Sequence, residues 1–141
     1  MRLLSHIVLL LVAFAVPTIA FGDPVKDGRY TGTIRFVRSS PAGCPADVCT
    51  RTISTSFTLK KKGKNKFTFR QPGVTATLAK GRNGVFSGYA GTARAGQCLL
   101  DIFPGVQGLR DKGFILAAFV FTFRCEAGNL SALYTGRARR R

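Results

Sequence analysis

Hydrophobic and polar residues alternate along the chain from Gly28 onward. In residues 29–38, for example, Tyr30, Ile34 and Phe36 fall on one face and small or charged residues on the other. A period of two is typical of strands that bury one face, whereas apolar residues at helical spacing do not recur in this region. The pattern therefore predicts an all-β domain.

Gly, Asn and Pro divide this region into eight predicted strands. The strands cover residues 29–38, 51–60, 66–70, 74–79, 85–93, 98–103, 114–125 and 130–138. Most links are short, and Asn83-Gly84 is a typical hairpin turn. Such a small antiparallel meander favours an eight-stranded up-and-down barrel, with a two-sheet β-sandwich as the alternative. A membrane-spanning barrel is disfavoured because the third strand is short and Trp is absent.

The first residues have the order of a secretory signal peptide. Arg2 precedes the apolar run of residues 7–16, and small residues suited to cleavage follow Pro17. The run is shorter than the roughly 18 to 20 residues of a membrane-spanning helix. We therefore expect a cleaved signal peptide at 1–22, a single β domain at 23–138 and a basic C-terminal tail at 139–141, in a secreted or periplasmic protein.

The four cysteines predict two disulfides, because an exported chain folds in an oxidising compartment. Cys44 and Cys49 can close a small loop, which leaves Cys98 and Cys125 as the second pair. A zinc site with four thiolates is the rival interpretation, but the spacing lacks paired C-x-x-C motifs.

The second pair also predicts a strand register. If Cys98 lies opposite Cys125, the numbers of paired residues sum to 223, and the chain reverses at residues 111–112, where a turn is expected. Pro104 and Gly105 should then form a bulge in the ladder or interrupt it.

Positive charge is in large excess: 22 Lys and Arg residues oppose 6 Asp and Glu residues, for a formal net charge of +16. In an up-and-down meander successive links alternate between the two ends of the barrel. One end, here called the basic end, thus receives the start of the domain, the links after predicted strands two, four and six, and the C-terminus.

The candidate anion-binding residues at the basic end are Lys60, Lys61, Lys62, Lys64, Lys66, Lys80, Arg82, Lys112, Arg137, Arg139, Arg140 and Arg141. This end also contains three further basic and three acidic residues: Lys26, Arg29, Arg110, Asp23, Asp27 and Asp111. The rest of the domain has six arginines and three acidic residues. The asymmetry predicts that the basic end binds a polyanion, such as an anionic lipid headgroup, an acidic polysaccharide or a nucleic acid.

A plainer interpretation of the same charges is that residues 60–66 form a solvated hairpin and residues 139–141 a frayed tail. Phe67 and Phe69 could offer stacking faces to nucleic-acid bases beside the lysines. Two Phe residues on one strand face are, however, more typical of a core.

Catalytic chemistry is poorly represented. The only His, His6, lies in the predicted signal peptide, so the mature chain lacks the imidazole of Ser-His-Asp and Cys-His sites and of His-containing zinc sites. The acidic residues form no close pair. We therefore expect a non-enzymatic protein with no cofactor and no metal.

Two other functions stay open. The barrel could carry a small apolar ligand in its interior, although eight-stranded barrels are commonly filled by side chains. Alternatively, an envelope structural protein or inhibitor could act through the Cys44-Cys49 loop. Residues 114–125 are apolar on both faces, so the outward face could contact a loop, a membrane surface or a second copy in a homo-oligomer.

Overall fold

A computed structural model describes residues 24–141. The strands are β1 (Gly28–Ser40), β2 (Thr52–Lys61), β3 (Lys66–Gln71), β4 (Val74–Lys80), β5 (Phe86–Ser87), β6 (Thr92–Ala95), β7 (Cys98–Gly108), β8 (Phe114–Cys125) and β9 (Gly128–Arg140). In this part of the chain no helix is long and apolar enough to cross a membrane. The predicted signal peptide lies outside the described residues.

Eight of these strands form a closed ring. Their order is β5-β4-β3-β2-β1-β9-β8-β7, and pairing of β5 with β7 closes the ring. Every neighbouring pair is antiparallel, and β6 forms a hairpin with the first part of β7. The all-β meander predicted from the sequence is confirmed as a barrel, and the alternative of two separate sheets is not adopted.

The predicted strand 85–93 is bent and divided into β5 and β6, and both parts pair with β7. Between them, the N–H of Ala90 donates to the Ile102 carbonyl at 2.8 Å, and the N–H of Ile102 donates to the Gly91 carbonyl at 3.1 Å. The register shifts by one residue across this stretch. Gly91, at φ +104°, adopts the left-handed conformation that favours glycine in a bulge.

Strand β7 is longer than predicted and pairs with β8 without a break. The numbers of every residue pair sum to 223, which confirms the register and the Cys98–Cys125 disulfide. The bulge predicted at Pro104 and Gly105 is wrong. The carbonyl of Pro104 accepts a hydrogen bond from Gly88, so the side of Pro104 without an N–H faces the irregular link between β5 and β6 and spares the ladder to β8.

Aromatic rings fill the middle of the barrel. Tyr30, Phe57, Phe69, Phe119 and Tyr134 point inward from five different strands and are buried. The ring centroid of Phe57 lies 5.1 Å from that of Phe69 and 6.2 Å from that of Phe119. Replacing such a ring by Ala would cost about 3–5 kcal/mol, because the surrounding strands could not collapse into the cavity.

The long link between β1 and β2 closes the end of the barrel opposite the basic end. Its Cys44–Cys49 disulfide is confirmed, and Cys49 is buried against the core. The hydroxyl of Tyr134 donates to the Thr50 carbonyl at 2.7 Å and holds the link in place. Since the Cys98–Cys125 bond lies at the same end, this region is called the disulfide end below.

Strand β8 buries side chains on both faces. Phe119 points into the core, whereas Val120 points outward and forms a second, small cluster with Leu133 and Phe103. The apolar side chains of residues 114–125 thus pack in the core on the inner face and in the small cluster on the outer face. A membrane contact or a homo-oligomer through this strand stays a prediction.

Candidate anion-binding end of the barrel

The basic end is built from five segments that the alternation of strand directions brings together. They are the start of β1, the links β2–β3, β4–β5 and β7–β8, and the end of β9. All twelve candidate residues belong to these segments or to the strand ends beside them, and all twelve are exposed. The twelve candidate cations therefore lie at one end of the barrel.

Backbone hydrogen bonds hold neighbouring segments of this end against one another. The N–H of Lys80 donates to the Asn65 carbonyl at 2.9 Å, which joins the end of β4 to the β2–β3 link. The N–H of Arg140 donates to the Gly113 carbonyl at 2.6 Å, which joins β9 to the β7–β8 link. Hydrogen bonds between the segments therefore fix the backbone positions of these cations relative to one another.

The C-terminal arginines form part of the sheet, although a tail was predicted from residue 139. Arg139 and Arg140 belong to β9 and pair with β1. The N–H of Arg141 donates to the Arg29 carbonyl at 2.8 Å. Strand pairing continues here because β1 begins early enough to supply partners.

Few carboxylates oppose these cations. Within residues 24–141, this end has fifteen Lys and Arg residues and only two acidic ones, Asp27 and Asp111. Asp111 forms an ion pair with Arg137, which also lies 4.5 Å from the centroid of the Phe114 ring. Asp27 accepts a hydrogen bond from the backbone N–H of Lys61 at 2.7 Å. The end is therefore strongly electropositive.

Two of the lysines point into the mouth of the barrel. Lys61 lies opposite Phe67, and Lys80 lies opposite Phe86, so each lysine shares the inward face of its phenylalanine partner. Phe67 is buried and Phe86 half-buried in the core. The sequence identified both lysines as anion-binding candidates but not their direction, which the alternation of Phe57, Leu59 and Lys61 would have indicated.

An open cavity of about 310 Å³ lies at this mouth. Val25, Phe67 and Phe86 give it an apolar wall, and Lys61, Lys64 and Lys80 give it a basic rim. Its other lining residues are Pro24, Asn65, Gly84, Gln107 and Gly108. Apart from the lysines and Phe67, sequence analysis did not associate these residues with a site.

Tyr30 anchors the segment that leads into β1 at the same end. Burial raises the pKa of its phenol, an effect that the hydrogen bond to Lys26 and the nearby charge of Arg140 only partly offset. The hydroxyl donates to the Lys26 carbonyl at 2.7 Å. Tyr30 is therefore a neutral donor at physiological pH.

The disulfide half of the barrel has a different electrostatic arrangement. The Asp101 carboxylate lies 2.9 Å from Arg124 Nε and accepts hydrogen bonds from Thr92 at 2.6 Å and Tyr89 at 3.2 Å. Burial alone would raise the pKa of Asp101, but the hydrogen bonds from Thr92, Arg124 and Tyr89 together lower it. Sequence analysis missed this network, whose members come from three separate segments.

No group of three or more His, Cys, Asp or Glu side chains in residues 24–141 is placed to hold a metal ion. Comparisons with protein families, curated proteins and solved structures find no match. The function is therefore inferred from the chemistry of the barrel ends.

Proposed function

We propose that this chain is an exported, non-enzymatic binding protein that engages a polyanion through the basic end. The observation that carries the proposal is the convergence of twelve exposed Lys and Arg candidates at one end of the barrel, where only two described carboxylates oppose them. Sheet pairing of Arg139 and Arg140 and the hydrogen bonds between links restrict the motion of the backbone that carries these cations. Less ordering is then needed on binding.

The physical basis of binding is charge density. Converging cations raise the local potential, and a polyanion that docks releases condensed counterions, which favours association entropically. Lysines act as point charges and do not read sequence. This chemistry suits anionic lipid headgroups, acidic polysaccharides and nucleic acids. Two disulfides are compatible with an oxidising compartment, and an exported protein would meet such polyanions in the envelope or outside the cell.

Elution from immobilised heparin across a salt series tests the proposal. The first variant neutralises the basic end, through Lys62→Gln, Lys64→Gln and Arg82→Gln. The matched control removes the same charge elsewhere, through Arg51→Gln, Arg70→Gln and Arg94→Gln, all of which are exposed in the native protein. Each cation that contacts the polymer should contribute roughly 0.7–0.9 to the slope of log affinity against log salt.

We expect the basic-end variant to lower this slope by about 2 and the control to leave it within about 0.5. Equal losses in the two variants would show that net charge alone determines retention and would contradict the proposal. Native protein that elutes without a steep salt dependence would contradict it as well. Vesicles with anionic lipid and single-stranded DNA, used as competitors, rank the three polyanion classes.

A further inference from the structure

We infer that the cavity at the mouth of the barrel binds a small amphipathic anion, in which a carboxylate or phosphate group is attached to a short acyl chain or an aromatic ring. This inference goes beyond the proposed function, because a polymer would contact the outer surface of the basic end and the small ligand its interior. Either site could exist without the other.

The first argument is the direction of Lys61 and Lys80. Both occupy inward positions of their strands, where the alternation of the preceding residues supplies apolar side chains. Inward charges are a known protection for exposed sheet edges. Here β2 lies between β1 and β3, and β4 lies between β3 and β5, so neither strand is an edge. Edge protection therefore does not account for the two lysines.

The second argument is that the ammonium groups of Lys61, Lys64 and Lys80 have no carboxylate partner among the described residues. Within residues 24–141 no ion pair joins Lys61, Lys64 or Lys80 to an acidic side chain. Asp27 approaches Lys61 only at the backbone N–H. Three cations at the rim of one cavity repel one another, and an anionic group between them would relieve that repulsion.

The third argument is the apolar wall below the rim. The ring centroids of Phe67 and Phe86 lie 4.9 Å apart and the two rings are nearly perpendicular. Val25 adds an aliphatic surface. Removing such an apolar wall from water is favourable, so binding of an acyl chain or ring that covers it is favoured. A ligand with one charged and one apolar part would satisfy both regions of the cavity together.

The volume limits the size of the ligand. At about 310 Å³ the cavity is near the lower bound of ligand pockets, roughly 300–1,000 Å³. Phe67 and Phe86 line the cavity, whereas Phe57 and Phe69 are buried in the core and do not line it. The cavity thus fits one chain of about ten carbons, and a lipid with two long chains would exceed it.

Isothermal titration calorimetry of the purified protein tests the inference with three probes below their micelle concentrations. Decanoate has the proposed chemistry, hexanoate has a shorter chain, and decyltrimethylammonium has the opposite charge. Decanoate should bind at least about tenfold more tightly than hexanoate, since each buried methylene contributes. Decyltrimethylammonium should not bind. Equal binding of decanoate and decyltrimethylammonium would overturn the inference.

A matched pair of double variants separates the interior from the outer surface. Lys61→Met with Lys80→Met removes the two inward cations, whereas Lys60→Met with Lys66→Met removes two outward cations from the same region. The inward pair should weaken decanoate binding by at least about tenfold, and the outward pair by less than about twofold. Similar losses in both would overturn the inference.

A third variant, Val25→Phe, reduces the cavity without changing charge. It should abolish decanoate binding and leave heparin elution unchanged; full decanoate affinity in this variant would contradict the cavity as the site. Heparin elution is measured for every variant, so that failure of the cavity inference can be distinguished from failure of the polyanion proposal. If native protein binds heparin with a steep salt dependence but does not bind decanoate, the cavity inference fails alone, and the opposite result refutes only the polyanion proposal.

Discussion

The two ends of the barrel differ in how they are closed and how their charges are balanced. The disulfide end has both covalent cross-links, a link packed onto the core, and an Asp101–Arg124 ion pair with two further hydrogen bonds. The basic end has an open mouth, two inward lysines and fifteen basic residues against two described acidic ones. The disulfide end is thus stabilised by cross-links and a paired carboxylate, whereas the basic end has a large excess of positive charge.

This difference suggests a division between stability and binding. Like charges at the basic end repel and disfavour the compact state, so the barrel needs favourable terms elsewhere. The aromatic core and the cross-links at the disulfide end provide them. Changes at the disulfide end should then alter the free energy of unfolding without altering polyanion binding.

Among changes at the two ends of the barrel, the largest expected effect follows from removing the Cys98–Cys125 bond by Cys98→Ala with Cys125→Ala. The bond joins residues 27 apart, and loss of a cross-link over such a loop should lower the free energy of unfolding by about 3 kcal/mol. Guanidinium unfolding measures this loss, and heparin elution of the still-folded protein should be unchanged.

The Cys44–Cys49 bond gives the comparison a control. It joins residues only 5 apart, so Cys44→Ala with Cys49→Ala should lower the free energy of unfolding by about 2 kcal/mol or less. A shift in heparin elution for either cysteine variant would mean that the two ends are not independent.

A smaller effect is expected for Asp101→Asn. Loss of the charged hydrogen bonds from Arg124, Thr92 and Tyr89 should lower the free energy of unfolding by about 1.5 kcal/mol at neutral pH. Because the folded pKa of Asp101 lies below its ordinary value, its contribution is present above the ordinary pKa and is lost as pH falls through the folded one.

Urea unfolding at several pH values checks this sign. The difference between native protein and the Asp101→Asn variant should shrink as pH falls from about 5 to below about 3. A difference that stays constant over this range would exclude a role for the carboxylate charge.

The smallest effect is expected at the basic end, for Tyr30→Phe. Loss of the hydrogen bond to the Lys26 carbonyl should cost about 0.5–1 kcal/mol near pH 7. Because burial raises the folded pKa of Tyr30, its contribution is complete below the ordinary value near 10 and is lost as pH rises through the folded pKa.

Thermal unfolding between about pH 9 and 11 tests this case, because the native protein should lose its advantage over the Tyr30→Phe variant there. An advantage that grows with pH would contradict the assigned direction of the Tyr30 pKa.

Much of the fold could be predicted because two simple constraints agree. Period-two alternation assigns a face to each residue, and the Cys98–Cys125 pair then fixes the whole β7–β8 register. The bend between β5 and β6 could not be predicted, because it depends on the conformation of Gly91 and on pairing with a strand distant in sequence. For the same reason, the orientation of Pro104 that spares the ladder was not foreseen.

A Tyr-x-Gly pattern recurs at residues 30–32, 89–91 and 134–136, and its three copies show the same limit of prediction. Gly32 and Gly136 lie at close approaches of β1 and β9, where a Cβ on either would meet the partner backbone. The corresponding Tyr30 and Tyr134 are buried, as expected for bent strands of a closed sheet. Tyr89 of the middle segment is instead exposed on the outer surface. The local pattern is the same, but Tyr89 continues the alternation of β5, in which Phe86 points inward, so Tyr89 points outward and stacks on Phe103 with ring centroids 5.2 Å apart.

The candidate site was likewise predictable in its composition and not in its shape. The residues of the basic end follow from the alternation of the links. The cavity depends on the N-terminal segment at Val25 and on side chains of β5 and β7, which meet only after the ring closes. The inward direction of Lys80 follows from the alternation of Ala76 and Leu78 before it, but its position opposite Phe86 depends on a register that the sequence left unassigned.

Nuclear magnetic resonance of the ¹⁵N-labelled protein, titrated with a heparin oligosaccharide, tests the central claim most directly. The account predicts that amide shift changes concentrate in residues 60–66, 80–84, 110–113 and 137–141 and disappear at high salt. Changes centred instead on residues 44–49, 71–73 and 126–128, or spread evenly over the barrel, would contradict it.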